Sequence, residues 1–185
     1  TSNLLNRVTF GNNTFVAVAQ SGNIVRSTDN GTSWDNATSS TGNHLWGVTF
    51  ANNTFVAVGN SGNIVRSTDN GSSFDNVTSP IERDLYRITF GNNTFVAVGQ
   101  NGNILRSTDN GSSFENVTLP TPTNLRGVTF GNNSLVAVGD NGTIVRSTDN
   151  GVSFENVTSP TTNNLAGVVF GNNTFVATGV SGNIV

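Results

Sequence analysis

Ser27-Thr28-Asp29-Asn30-Gly31-Thr32-Ser33-Trp34 is the stretch that decides how this chain folds. It returns at 67–74, 107–114 and 147–154, each copy forty residues after the last, always as S-T-D-N-G-x-S-[WF]. A fixed period of this length identifies a repeat architecture before any single element is assigned. Aligned on it, the chain divides into 1–40, 41–80, 81–120, 121–160 and a partial unit at 161–185. The partial unit stops inside a predicted strand, which reads as a fragment boundary.

Within a unit, short clusters of Val, Ile, Phe, Leu and Thr alternate with Gly, Asn and Ser. That pattern predicts four strands, at 5–10, 14–19, 23–28 and 33–38 in the first unit. Gly11-Asn12-Asn13 and Gln20-Ser21-Gly22 form the first two connections. Asn30-Gly31 is the pair that two-residue hairpins with positive φ prefer. Pro80, Pro120, Pro122 and Pro160 all fall in the last connection, where no ladder amide is needed. No segment carries a helical period. Four antiparallel strands every forty residues predict an all-β propeller of five blades, the fifth incomplete, in one domain spanning 1–185. A β-solenoid is the competing architecture, but its coils are usually shorter.

The S-x-D-x-G-x-x-[WF] pattern at the third hairpin resembles the Asp-box, or BNR, repeat of sialidase-type and photosystem II assembly-factor-like propellers. The resemblance implies that the box is a structural clasp away from any active site. Chemistry agrees. Asp29, Asp69, Asp109 and Asp149 can accept turn amides that no strand satisfies. Gly31, Gly71, Gly111 and Gly151 allow the left-handed turn. Trp34, Phe74, Phe114 and Phe154 supply an aromatic plug against the neighbouring sheet. Arg26 stands opposite Asp35 across the same hairpin, a pattern repeated as Arg66/Asp75, Arg106/Glu115 and Arg146/Glu155. The expectation there is a cross-strand ion pair on an outer face.

Composition narrows the function classes. The net charge is −3 and only 10% of residues are charged, so a nucleic-acid footprint is not expected. Arginine supplies every fixed positive charge. There is no cysteine and a single histidine, His44, so neither a thiolate site nor a histidine-rich metal site is expected. His44 itself reads as a solvated loop residue. No run is apolar enough to span a bilayer as a helix, no signal peptide is read, and no cofactor is expected. An extracellular or periplasmic location is the expectation.

The units differ from one another at few places. The sixth position holds Asn6, Trp46, Tyr86, Arg126 and Ala166; the seventh holds Arg7, Gly47, Arg87, Gly127 and Gly167. The second connection varies as Gln20, Asn60, Gln100, Asp140 and Val180. In an up-and-down sheet these positions share one end and the Asp-boxes the other. Trp46, Tyr86, Arg126, Arg87 and Arg7 are therefore the candidate ligand-binding residues, at the mouth of a central channel. Aromatics, guanidinium groups and amides suit a glycan or a peptide. Drift in tolerant loops after duplication accounts for the same variation.

A sialidase-like reaction would have to use Tyr86 with Glu82, Asp84, Arg87, Arg7 and Arg126, without the loop insertions that shield such chemistry. The expectation is a non-catalytic binding module. A structural or designed symmetric repeat without a ligand is the alternative. The partial fifth unit also suggests self-association that completes it.

Overall fold

The computed structural model describes residues 3–117, 119 and 122–185. Pro120 and the unit boundaries placed at Thr1 and Thr121 lie outside the described residues. The first sheet runs β1 (Leu5–Gly11), β2 (Thr14–Ala19), β3 (Ile24–Ser27) and β4 (Asp35–Asn36). A two-residue strand, β5 (Thr38–Ser39), follows. The second sheet is β6 (Leu45–Ala51), β7 (Thr54–Gly59), β8 (Ile64–Ser67) and β9 (Ser73–Val77). The third is β10 (Leu85–Gly91), β11 (Thr94–Gly99), β12 (Ile104–Ser107) and β13 (Glu115–Val117). The fourth is β14 (Leu125–Gly131), β15 (Ser134–Gly139), β16 (Ile144–Ser147) and β17 (Glu155–Val157). Last come β18 (Leu165–Gly171) and β19 (Thr174–Gly179), with Thr178 bridged to Ile184.

Strand order within each sheet follows chain order, and neighbours are antiparallel. The exception is β5, which leaves the first sheet and pairs parallel with β9 of the second. This corrects the expectation of one strand over 33–38: β4 is two residues long, and the chain then crosses to its neighbour. The first strands β1, β6, β10, β14 and β18 stand side by side in sequence order. The sheets are therefore the blades of a β-propeller.

Each core lies between two sheets. Val16, Val18 and Ile24 of the first sheet meet Leu45, Val48, Phe55 and Phe74 of the second. The same positions recur between the second and third sheets, and between the third and fourth. The second strand of each of the first four sheets is thus buried on both faces, which explains why 14–19 and those copies read as nearly unbroken apolar runs. The outer face of the first sheet is open, with Phe10 52% exposed, as is the far face of the fifth, with Val169 65% exposed.

Gly11 was expected to serve the turn, yet the positive φ values belong to Asn12 and Asn13. What Gly11 supplies is room. A Cβ there would sit 1.9 Å from the Phe50 ring of the next blade.

Candidate functional site

The two ends of the blades carry different chemistry. At one end stand the acidic turns. Asn30 and Gly31 have φ of 65° and 85°, the positive pair the hairpin needs. Asp29 Oδ1 accepts the Ser33 amide at 2.9 Å and the Ser27 hydroxyl at 2.8 Å, and Oδ2 accepts the Ser33 hydroxyl at 2.6 Å. Ser27 Oγ in turn accepts the Gly31 amide at 2.9 Å. Asp69, Asp109 and Asp149 repeat these bonds with Ser67/Ser73, Ser107/Ser113 and Ser147/Ser153. The Ser33 hydroxyl and amide, with the Ser27 hydroxyl, bring the Asp29 carboxyl down to about 2. Burial opposes the shift at Asp109, but bonds from Ser113 and Ser107 outweigh it and the value again falls to about 2. The buried serines at 27, 67, 107 and 147 were not singled out from the sequence; their presence in every copy was the signal.

The turns also lock neighbouring blades. Asn70 Nδ2 donates to Thr14 Oγ1 at 2.7 Å, Asn110 to Thr54 at 2.7 Å and Asn150 to Thr94 at 2.6 Å. Phe74, Phe114 and Phe154 are the expected plugs, buried between sheets. Trp34 is not: it is 43% exposed and touches Phe15 of its own blade, because no sheet covers that face.

The arginine pairing is corrected too. The register Arg26↔Asp35 is as expected. Among the described residues, however, only Arg106 forms the ion pair, with Glu115 at 2.6 Å. Arg26 Nη1, Arg66 Nε and Arg106 Nε donate instead to the carbonyls of Asn70, Asn110 and Asn150 on the next blade, at 3.2, 2.8 and 2.8 Å.

The variable residues meet at the other end. Trp46, Tyr86, Arg87, Arg126 and Ala166 line a cavity of about 330 Å³. A β-bulge aims Trp46, Tyr86, Arg126 and Ala166 there. Pairing slips between Leu45 and Gly47, and likewise between Leu85 and Arg87 and between Leu125 and Gly127, so each sixth residue is unpaired. Bulges re-aim a side chain in this way. Residues of the second connection hold them: Asn60 Oδ1 accepts Trp46 Nε1, and Asp140 pairs with Arg126. The Arg126 guanidinium lies 5.8 Å from the Tyr86 ring centroid. The Asp140 hydrogen bond raises the Arg126 pKa, and burial raises that of Tyr86.

Arg87 differs from Arg126. Its Nη1 donates to the Trp46 and Tyr86 carbonyls at 3.3 and 2.8 Å, and its buried Nε has no partner. Burial, with Arg7 second, lowers its pKa. Arg7 itself lines a separate hollow with Leu5, Asn6, Val8 and Trp34, yet lies near enough to Arg87 for its charge to act there. Gly47 and Gly127 occupy the seventh position because adjacent first strands crowd there: a Cβ on Gly127 would lie 2.9 Å from the Gly167 Cα.

His44 is not merely solvated. Its Nδ1 accepts the Ser21 amide of the preceding blade at 3.1 Å. Asp84, Asn124 and Asn164 do the same for the amides of Ser61, Asn101 and Asn141. No cluster of His, Cys, Asp and Glu able to hold a metal occurs among the described residues. No helix among them is long and apolar enough to cross a membrane.

No family model matches the chain, and no curated protein matches it. Solved structures do. A catalytically inactive virginiamycin B lyase from Staphylococcus aureus with quinupristin superposes with a TM-score of 0.81 at 22% identity, over 98% of this chain and 68% of that one. The computationally designed Ika8 protein gives 0.77 at 14% identity, over 97% of this chain and 57% of its own. YCF48 bound to D1 peptide gives 0.74 at 16% identity, covering 100% of this chain and 67% of that one. The chain thus spans little more than half the length of Ika8.

Proposed function

With the propeller as premise, we propose that this chain is a non-catalytic binding module of the Asp-box kind, with its ligand seated at the Trp46–Tyr86–Arg87–Arg126 cavity. The observation that carries this reading is Arg87. Arg87 lines the cavity, and its guanidinium has no ion-pair partner among the described residues and holds a buried Nε without a partner. A carboxylate placed there gains charge-assisted hydrogen bonds that a neutral group does not. Trp46 and Tyr86 offer flat apolar walls beside it. Together they suit a peptide with a free carboxylate better than a neutral glycan. YCF48, of similar fold, has been solved with a peptide, which agrees with the proposal.

Calorimetric titration with peptides ending in a free carboxylate, their amidated forms and a neutral glycan panel tests it. The free carboxylate is expected to bind, and Arg87→Ala to weaken it roughly tenfold or more. Equal binding of the amide, or no effect of the variant, rejects the carboxylate. Binding of glycans alone selects the lectin-like reading. Silence in every arm favours a symmetric repeat without a ligand, a reading supported by the near identity of the units.

A further inference from the structure

Asn-Gly pairs stand at 30, 70, 101, 110, 141 and 150. The side-chain amide of such an asparagine is open to attack by the backbone nitrogen of the glycine, which carries no Cβ to hinder it. Two of the pairs share one tripeptide, Asp140-Asn141-Gly142 and Asp149-Asn150-Gly151. Their asparagines also share a backbone conformation, with φ of 56° and 61°. Neither local sequence nor local strain separates the two; the fold does. Asn150 Nδ2 donates to Thr94 Oγ1 at 2.6 Å, its carbonyl accepts Arg106 Nε at 2.8 Å, and the Gly151 amide donates to Ser147 Oγ at 2.8 Å. Asn150 Oδ1 is buried without a partner, so negative charge developing on it gains no solvation. Asn110 is held in the same way by Thr54, Arg66 and Ser107. Asn70 is held by Thr14, Arg26 and Ser67. Asn141 and Asn101 are exposed, and among the described residues only their backbone amides are bonded, to Asn164 and Asn124.

We infer that Asn141 and Asn101 are sites of self-modification, converting through a succinimide to aspartate and isoaspartate, while contacts between blades protect Asn70, Asn110 and Asn150. Hydroxide takes the proton of the Gly142 amide, and that nitrogen bonds to Asn141 Cγ. The negative charge passes to Oδ1 of an exposed side chain, where water solvates it. The Cγ–Nδ2 bond then breaks, and the nitrogen takes a proton from water and leaves as ammonia. Water opens the five-membered imide at either carbonyl, giving aspartate or isoaspartate with no change in oxidation state. Each event turns a neutral amide into a carboxylate. At 141 the new charge stands next to Asp140, the partner of Arg126 at the mouth. Asn30 is intermediate: its side chain is exposed and unbonded, but the Gly31 amide is held by Ser27 Oγ at 2.9 Å. The inference is independent of any ligand at the mouth.

The test is a time course of the folded whole chain in mildly alkaline buffer, followed by cleavage after arginine and mass spectrometry. Asn141 and Asn150 then fall in different peptides, 127–146 and 147–185. Asn141 and Asn101 are expected to convert at least roughly tenfold faster than Asn110 and Asn150, the worth of one or two lost hydrogen bonds in rate. Enzymatic methylation of isoaspartate identifies the product. In strong urea Asn141 and Asn150 should converge on one rate, which assigns the difference to the fold. Thr94→Val, checked by circular dichroism, is expected to speed Asn150 alone. Asn141→Ser removes the event at 141 and keeps the turn, because Ser21 and Ser61 hold the same position at φ of 56° and 55°. Conversion of Asn110 or Asn150 as fast as Asn141 in the folded chain overturns the inference. So does an Asn141 that stays intact while the unfolded chain converts, or a gap that persists in urea.

Discussion

The end of the propeller that carries the acidic turns and the end that carries the mouth are built from the same forty residues and obey opposite rules. At the acidic turns every copy repeats, and nearly every donor is matched by an acceptor inside the turn or on the next blade. At the mouth the backbone is equally regular, but its bulge presents a different side chain in each blade. Beside them Arg87, in the paired seventh position, is held without an ion pair. The difference teaches that repetition enforces contacts between blades, while function can use only positions whose side chains no neighbour requires.

The sharpest way to break this comparison is to remove one plug in two settings. Phe114→Ala is expected to cost about 3–5 kcal/mol, because it empties a closed core between sheets. Trp34→Ala, at the same repeat position but 43% exposed, should cost less, about 1–2 kcal/mol. Urea unfolding of both variants measures it; equal losses would mean that the interfaces do not bury the plugs unequally.

A smaller effect comes from glycines chosen by their neighbours. Gly131→Ala places a Cβ 2.1 Å from the Phe170 ring, and overpacking of that kind costs about 1–3 kcal/mol. Gly171→Ala meets nothing within 4 Å and should be nearly neutral. Thermal melts of the pair would show a gap in one direction only.

The acidic turns should then appear in the pH dependence. Asp109 falls from its ordinary 3.8 to about 2 in the fold. A carboxyl depressed in the folded state stabilises fully above its unfolded value and loses that contribution as pH drops through its folded value. Stability should therefore hold above about pH 4 and decline towards pH 2. Asp109→Asn should cost about 1 kcal/mol at neutral pH, since the carboxylate faces solvent, and flatten the acid slope. A slope unchanged in that variant would detach the turn from acid stability.

The mouth should be the least costly to alter. Trp46→Ala and Arg126→Ala are expected to change unfolding free energy by about 1 kcal/mol or less, since each contact there is local and partly solvated. His44→Asn should match the parent, because Asn124 and Asn164 already accept the same kind of amide. A large loss for Trp46→Ala would turn the mouth into part of the scaffold.

These contrasts also mark what the sequence could disclose. Strand β2 and its copies lay where the apolar runs stop, because alternation and flanking Asn and Gly act within a few residues. The gathering of Trp46, Tyr86 and Arg126 followed from strand direction alone. What stayed hidden depends on the distance between blades. Nothing local to Arg26 says that a carbonyl 44 residues later is closer to its guanidinium than Asp35. Nor does anything around Gly11 announce the Phe50 ring. The exposure of Trp34 follows from which face of the first sheet lies open. A repeat pattern treats all copies alike.

Among the described residues, the parallel crossing of β5 onto β9 makes one junction unlike the rest. The first and second sheets are joined by side-chain packing and also by backbone bonds, Thr38 N–H to the Ser72 carbonyl at 3.0 Å and Ser40 N–H to the Phe74 carbonyl at 3.1 Å. In a molecule whose order passes only between adjacent units, such a double tie sets a polarity. Fraying should start from the fifth sheet and be arrested last at the tie.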